Sequence, residues 1–370
     1  MQTYDLMIPG PVQLAPEVLD ALGSQVIAHY GPEFTRFYHD TIELLKCVFQ
    51  TSGDLFPLVG SGTAGLEAAI SSVIGKNDEF LVLSNGYFGE RIAEIGQNYT
   101  SKVNKLEFPL TEQIRPKVLR GVLEKDRNVK AVGVVHCETS TGLLNPVAQL
   151  AKVCKEKGVL IMVDAIASLG GVELPVDEWG IDICVSASQK CLESPPGLAF
   201  VTVAEDAWSA LEATASSGWY LNLKKAKEYA TSEAAVRHPT RNTFATPLLR
   251  ALRKAVEGIL AEGLDARFAR HRHTAELLRE GLSELGFELL ILPAIASPTV
   301  VAAKGRKDLG ADLLVKLLRE DYQIQIGGGI GELEGKIFRI GNMGLNAQQE
   351  RIVHLLEALR RLVREHAVSR

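Results

Sequence analysis

Between residues 55 and 203, short apolar runs alternate with helix-type patterns, and this alternation restricts the fold more than any other feature. The runs are Leu55 to Val59, Phe80 to Ser84, Val129 to His136, Val159 to Asp164, Ile181 to Ser186 and Leu198 to Val203. Helical spacing fills several of the gaps, as in Ala64 to Ile74 and Val147 to Lys157. Strands apolar on both faces must be covered on both, so the pattern predicts an α/β fold with a mostly parallel sheet between helix layers. Ligands of such sheets bind beyond the carboxyl ends of the strands. At those ends stand Gly60-Ser61-Gly62-Thr63, Asn85-Gly86, Glu138-Thr139-Ser140, Asp164 and Lys190, all small, polar or ionisable.

From about Thr246 a long helical pattern (Leu248, Leu249, Leu252, Val256, Ile259, Leu260) leads into a different arrangement. Candidate strands lie at Glu288 to Leu292, Thr299 to Ala303, Gln323 to Ile326 and Lys336 to Ile340, with helices at about Ala311 to Glu320 and Ala347 to Glu365. The expectation is a large domain over residues 1–250, opened by an arm containing Pro9-Gly10-Pro11, and a smaller α+β domain over 251–370. A net charge of −5 argues against nucleic acid or an acidic membrane as the main partner. No apolar stretch reaches membrane-spanning length and no signal-peptide pattern opens the chain, so a cytoplasmic location is expected. Cys47, Cys137, Cys154, Cys184 and Cys191 show no metal spacing and read as buried or half-buried free thiols.

A lysine at the end of a buried strand is costly unless its amine is used. Desolvation lowers an amine's pKa and frees the neutral nucleophile that Schiff-base chemistry needs. Lys190 follows one such strand and Asp164 ends another. Together they suggest pyridoxal phosphate, with the amine on its aldehyde and the carboxylate on its pyridinium nitrogen. Gly60-Ser61-Gly62-Thr63-Ala64-Gly65 follows a strand and opens a helix, where backbone N–H groups can approach a phosphate. It matches a dinucleotide fingerprint literally, but the next strand ends Leu83-Ser84-Asn85-Gly86 with no acid for a ribose. A purely structural glycine turn is the plain alternative. Tyr87-Phe88, in a loop after a strand end, could stack on a planar ring or simply pack. Arg339, inside an apolar strand, needs either a substrate carboxylate or an internal acid. His271 and His273 are two apart on a helix and point in different directions, so both read as surface residues. Cys137 and Cys191 have no neighbouring base and read as packing.

In this order, the segments resemble the class V pyridoxal-phosphate aminotransferases, most closely the alanine–glyoxylate and serine–pyruvate branch. Ser188-Gln189-Lys190 with Pro195-Pro196-Gly197, Asp164 to Gly171 and Glu138 to Gly142 carry the likeness, which spans nearly the whole chain. The resemblance implies a fold-type I transferase acting as a homodimer on small amino acids and 2-oxo acids by a ping-pong cycle. It implies that Lys190 bonds the cofactor and moves the proton, and that Asp164 pairs with the ring nitrogen. Thr139 would stand near the ring hydroxyl and Phe88 would stack on the ring. Ser61, Gly62, Thr63 and Gln189 would hold the phosphate, with Thr243 reaching the other subunit's cofactor. Arg339 would bind the substrate carboxylate, with Pro9 and Gly10 beside it. The chain departs from many relatives at Thr240, where some have Tyr, and at Ala28-His29-Tyr30, where many have Gly-His-Arg. A cysteine desulfurase is the alternative enzyme, but those place His before the lysine where this chain has Gln189. A catalytically idle scaffold would have lost Lys190, Asp164 or Arg339, and all are present.

Overall fold

The computed structural model describes residues 3–215 and 218–367. The chain opens with β1 (Asp5–Leu6), α1 (Pro16–Leu22) and α2 (Pro32–Phe49). Then come β2 (Asp54–Val59), α3 (Gly62–Val73), β3 (Glu79–Ser84), α4 (Tyr87–Gln97), β4 (Val103–Glu107), α5 (Pro116–Lys125) and β5 (Val129–Val135). A short hairpin, β6 (Cys137–Glu138) and β7 (Leu143–Leu144), precedes α6 (Val147–Lys157), β8 (Leu160–Asp164), β9 (Ile183–Ala187) and β10 (Leu198–Val203). The sheet order is β2-β10-β9-β8-β5-β3-β4. All its neighbours run parallel except β10, which is antiparallel to both β2 and β9.

Side chains alternate between the two faces of this sheet, as period-two geometry requires. Leu81, Leu83, Val132, Val134 and Val163 enter one core with α2, α5 and α6, while Phe80, Val82, Val135 and Met162 enter the other with α3 and α4. Each fully buried Leu or Phe contributes roughly 1.5–3 kcal/mol. That cohesion keeps the strand ends rigid while the loops above them vary.

Two more short helices, α7 (Trp208–Glu212) and α8 (Leu223–Ala230), lead to α9 (Thr246–Glu262) and α10 (Leu264–Glu284). Gly263, at φ +84°, breaks α9 from α10 in a backbone conformation other residues rarely adopt. Beyond lie β11 (Val300–Lys304), α11 (Ala311–Asp321), β12 (Ile324–Gln325), β13 (Gly327–Gly328), β14 (Ile337–Gly341) and α12 (Gln349–Ala367). β11, β14 and β13 form an antiparallel sheet, whereas β12 pairs in parallel with β1 from the N-terminal arm. Leu252, Val256 and Ile259 of α9 belong to the first core, and Met7 of the arm belongs to the second. The two cores therefore do not divide the chain at one point.

Several expectations need correction. Glu288 to Leu292 is not a strand: one bridge, Leu289 to Ala303, and a bond from Leu290 N to Ala302 O are its main ladder contacts, and Pro293 ends the run. Gln323 to Ile326 shrinks to two residues and leaves the small-domain sheet for the arm. β4 was not anticipated, because at the sheet edge its Asn104, Lys105 and Glu107 carry no apolar run. Tyr87-Phe88 is the start of α4 and not a loop. Cys47 is exposed, on the face of α2 away from its core residues Ile42, Leu45 and Val48.

Candidate active site

β8 and β9 are parallel neighbours, with Asp164 in register with Val185, so the chain after each emerges at the same edge of the sheet. Lys190 stands three residues past β9 in a loop closed by several bonds. Glu193 N donates to Lys190 O at 3.0 Å and Ser194 N to Ser188 O at 3.0 Å. The Ser188 hydroxyl donates to Pro195 O at 2.6 Å and accepts from Leu198 N at 3.3 Å. Pro195-Pro196-Gly197 thus serves as the return leg of the lysine loop.

The N-terminal arm lies directly against this loop. Val12 N donates to Gln189 O at 3.2 Å, and the Lys190 amine donates to Pro9 O. Gly10, at φ +79°, lies so close that any side chain there would overlap the lysine. Burial pushes the amine down to about 8, and the Arg339 guanidinium acts in the same direction.

Asp164 is buried, and its carboxylate accepts a bond from Ile166 N at 2.9 Å. Burial raises its pKa to about 7; the Ile166 bond, Lys190 and Arg91 oppose the rise, and Glu138 adds to it. A carboxyl held this way is short of positive charge. Glu138 is fully buried at the end of β6 and accepts from Phe88 N at 3.1 Å, Gly89 N at 3.2 Å, and the N–H and hydroxyl of Ser140. Its carboxylate sits on the N-terminus of α4, where orphan N–H groups and the helix dipole favour negative charge. Phe88 is thereby fixed from its backbone, and the Arg91 guanidinium lies 4.9 Å from its ring centre. Sequence reasoning gave Glu138 no role of its own; an acid three residues after the apolar run Val129–Val135 was the available signal.

Ser61 precedes α3, and Gly62 opens it against Ile166 and Ala187. A side chain at Gly62 would strike Ile166 at 2.5 Å, so glycine lets the helix start approach the ends of both β8 and β9. The N–H groups of Gly62 and Thr63 have no partner within the helix. Nearby in sequence to the lysine, the Gln189 side-chain oxygen is buried without a hydrogen-bond partner among the described residues.

Arg339 is buried in β14 and bridges the two halves of the molecule. Nε donates to Gly328 O at 2.8 Å and Nη1 to Thr139 O at 2.9 Å, which leaves Nη2 for a ligand. Its hydrogen bonds among the described residues go to backbone carbonyls and not to a carboxylate, so the internal-acid alternative has no partner here; burial lowers its pKa, with Glu138 opposing. Thr139 is brought to Arg339 through its carbonyl.

Thr243 is not brought to this place within one chain. It is exposed and lines a cavity of about 210 Å³ with Tyr38, Tyr220 and Thr240, away from Lys190 and Asp164. His271 is a further correction: it is fully buried, accepts from Gly344 N at 3.0 Å through Nε2 and donates to Arg267 O at 2.8 Å through Nδ1. It lies in α10 where that helix packs under the Met343–Gly344 loop, while His273 is exposed. Cys137 and Cys191 are buried, and burial pushes their thiols up to about 11 and about 12. No helix among the described residues is long and apolar enough to cross a membrane.

The residues fit pyridoxal phosphate. Among the described residues no cation forms an ion pair with Asp164 and the Gln189 oxygen is buried without a partner, the Lys190 amine is depressed toward neutrality, and a small-residue helix start faces both strand ends. Comparison with known proteins agrees. The family model for class-V aminotransferases matches residues 11–332. An uncharacterised aminotransferase of Methanocaldococcus jannaschii is 40% identical, covering 93% of this chain and 89% of its own. The (S)-ureidoglycine–glyoxylate transaminase of Bacillus subtilis is 33% identical, covering 98% and 91%. The crystal structure of an alanine–glyoxylate aminotransferase from Nostoc sp. superposes with a TM-score of 0.93 at 32% identity, covering 98% and 96%. A cysteine desulfurase from Thermococcus onnurineus shares the fold alone, at 13% identity and a TM-score of 0.77 over 98% and 95% of the two chains.

Proposed function

The chain belongs to the class-V aminotransferases, which are pyridoxal-phosphate enzymes, and from that premise we propose that it passes the amino group of alanine or serine to glyoxylate or pyruvate. The observation that carries the site assignment is the convergence of Lys190 and Asp164 at the ends of adjacent parallel strands, with Arg339 anchored to the neighbouring Thr139 carbonyl. The glyoxylate in the names of relatives supports the acceptor.

Bound pyridoxal phosphate supplies an electron-withdrawing ring that stabilises negative charge at the substrate Cα and carries the amino group between donor and acceptor. The protein's residues do the rest. Asp164, ionised by a cationic ring nitrogen, keeps that nitrogen protonated. Phe88 would cover the ring, while Ser61, Gly62, Thr63 and Gln189 would hold the phosphate. Thr139 would stand beside the ring hydroxyl. The Lys190 amine, released from Pro9 O, would take the proton from the substrate Cα and hold it for return. Arg339 presents its remaining N–H groups to the substrate carboxylate, and Pro9 and Gly10 wall the amine side. Thr243 would complete the phosphate site of a second copy in a homodimer, and a cytoplasmic location completes the reading. A division of labour near residue 250 assigns the cofactor to the large part of the chain and the carboxylate clamp to the small one. The desulfurase alternative needs a reactive thiol beside the lysine, and the cysteines that flank the site segments, Cys137 and Cys191, are buried with raised pKa values.

Mixing the holoenzyme with single amino acids, and following loss of the visible cofactor band, tests the donor. Alanine or serine is expected to bleach the band, and glyoxylate or pyruvate to restore it. Faster bleaching by aspartate would overturn the donor assignment, and no bleaching by any amino acid would overturn the activity. Arg339→Lys is expected to raise KM for the donor by roughly tenfold or more with a smaller change in kcat, because a lysine cannot make the forked contact. Steady-state kinetics against donor concentration checks it.

A further inference from the structure

Arg267 lies in the first turn of α10, is 2% exposed, and touches no residue assigned to the site above. Its guanidinium nevertheless spans the two loops on which the chemistry depends. Nε donates to Gly170 O at 2.6 Å, in the loop after Asp164, and Nη2 donates to Cys191 O at 2.6 Å, the residue directly after Lys190. Nη2 also pairs with Glu193 and Nη1 with Glu262 at 2.9 Å. Glu262 is held from its other side by Arg270, which in turn donates to Gly344 O and Ala347 O.

The Lys190–Glu193 turn is thus gripped at two corners, the Cys191 carbonyl and the Glu193 carboxylate, besides its own closing bond from Glu193 N to Lys190 O. Glu193 sits at φ +52°, which a non-glycine residue keeps only where its surroundings over-determine it. The planar fork of arginine allows one side chain to reach both carbonyls and both carboxylates at fixed angles, whereas a lysine offers a single point of attachment.

We infer that Arg267 is a positioning residue of the reaction, clamping the loop after Lys190 to the loop after Asp164 and so fixing where the amine stands relative to the carboxylate. The inference rests on the reading of Lys190 as the lysine that bonds the cofactor. Loosening the clamp displaces the amine without removing any group that touches substrate or cofactor.

The test uses holoenzyme carrying R267K. With circular dichroism unchanged, kcat is expected to fall about ten- to a hundredfold, the scale of a misplacement near 1 Å. KM for the donor should stay within about twofold, since Arg339 is untouched. The pH midpoint of the visible cofactor band should move by about half a unit or more, because the surroundings of the linked amine change. A folded R267K with wild-type kcat and band midpoint overturns the inference, even if its melting temperature is lower. Should R267K fail to fold, E193A frees one corner of the same turn and is judged by the same two readouts. A visible cofactor band that survives Lys190→Ala, with Arg267 left intact, defeats the reading of Lys190 instead.

Discussion

Replacing Lys190 with alanine removes the visible absorbance of the bound cofactor and lowers amino transfer by about a thousandfold or more, the scale seen when the nucleophile of a concerted catalytic unit is deleted. The side chain has two duties that nothing else nearby can take over. Its amine feels the charges of both Asp164 and Arg339, and its burial pushes it down to about 8. At neutral pH a measurable share is therefore the free base, where an ordinary lysine near 10.4 has almost none. The rate at which cofactor-free protein takes up pyridoxal phosphate should accordingly rise with pH and level off above about 8. Absorbance, turnover and circular dichroism of the variant decide the matter. A folded Lys190→Ala protein that keeps the band or turns over within tenfold of wild type removes the central assignment.

Asp164→Asn comes next in expected effect. The variant keeps the size of the side chain and an acceptor for Ile166 N but cannot carry charge, so the ring nitrogen loses the group that keeps it protonated. Turnover should fall about a hundredfold or more, and cofactor affinity should fall with it. The same carboxyl gives a pH signature in the cofactor-free protein. Its pKa is raised to about 7 by burial, so between about 4 and 7 the folded state holds a proton that the unfolded state has released. Stability of wild type should decline as pH rises through that window and flatten above it, and Asp164→Asn should lack this component. Chemical denaturation at several pH values measures the difference. Matching slopes in the two proteins would show that the buried carboxyl is not raised.

The strands of the large sheet were legible because a run apolar on both faces has few alternatives to a covered parallel strand. β10 matched its expected bounds, Leu198–Val203, although its antiparallel direction depends on how the chain returns and carries no local mark. Edge and partial elements were illegible for the opposite reason. β4 buries too little to need an apolar run, and Glu288 to Leu292 has the right residue types but only one bridge to a neighbour. His271 shows the same limit: spacing on a helix tells which residues share a face, not what lies against that face.

Lys190, Asp164, Arg339 and the Gly62 turn were visible in the linear chain because a costly or small residue at the end of an apolar run stands out against it. The sequence alone therefore determined most strands of the sheet, the cofactor class and the candidate residues at the strand ends. Tertiary structure decided what surrounds them: Pro9 against the lysine, Glu138 under the start of α4, Arg267 across the two loops, and Thr243 left apart from the site of its own chain. Those contacts join residues from 49 to 181 positions apart. Apolar burial imprints itself on each element locally as a periodicity, whereas a hydrogen bond between distant loops leaves no periodic trace and exists only once the chain has folded.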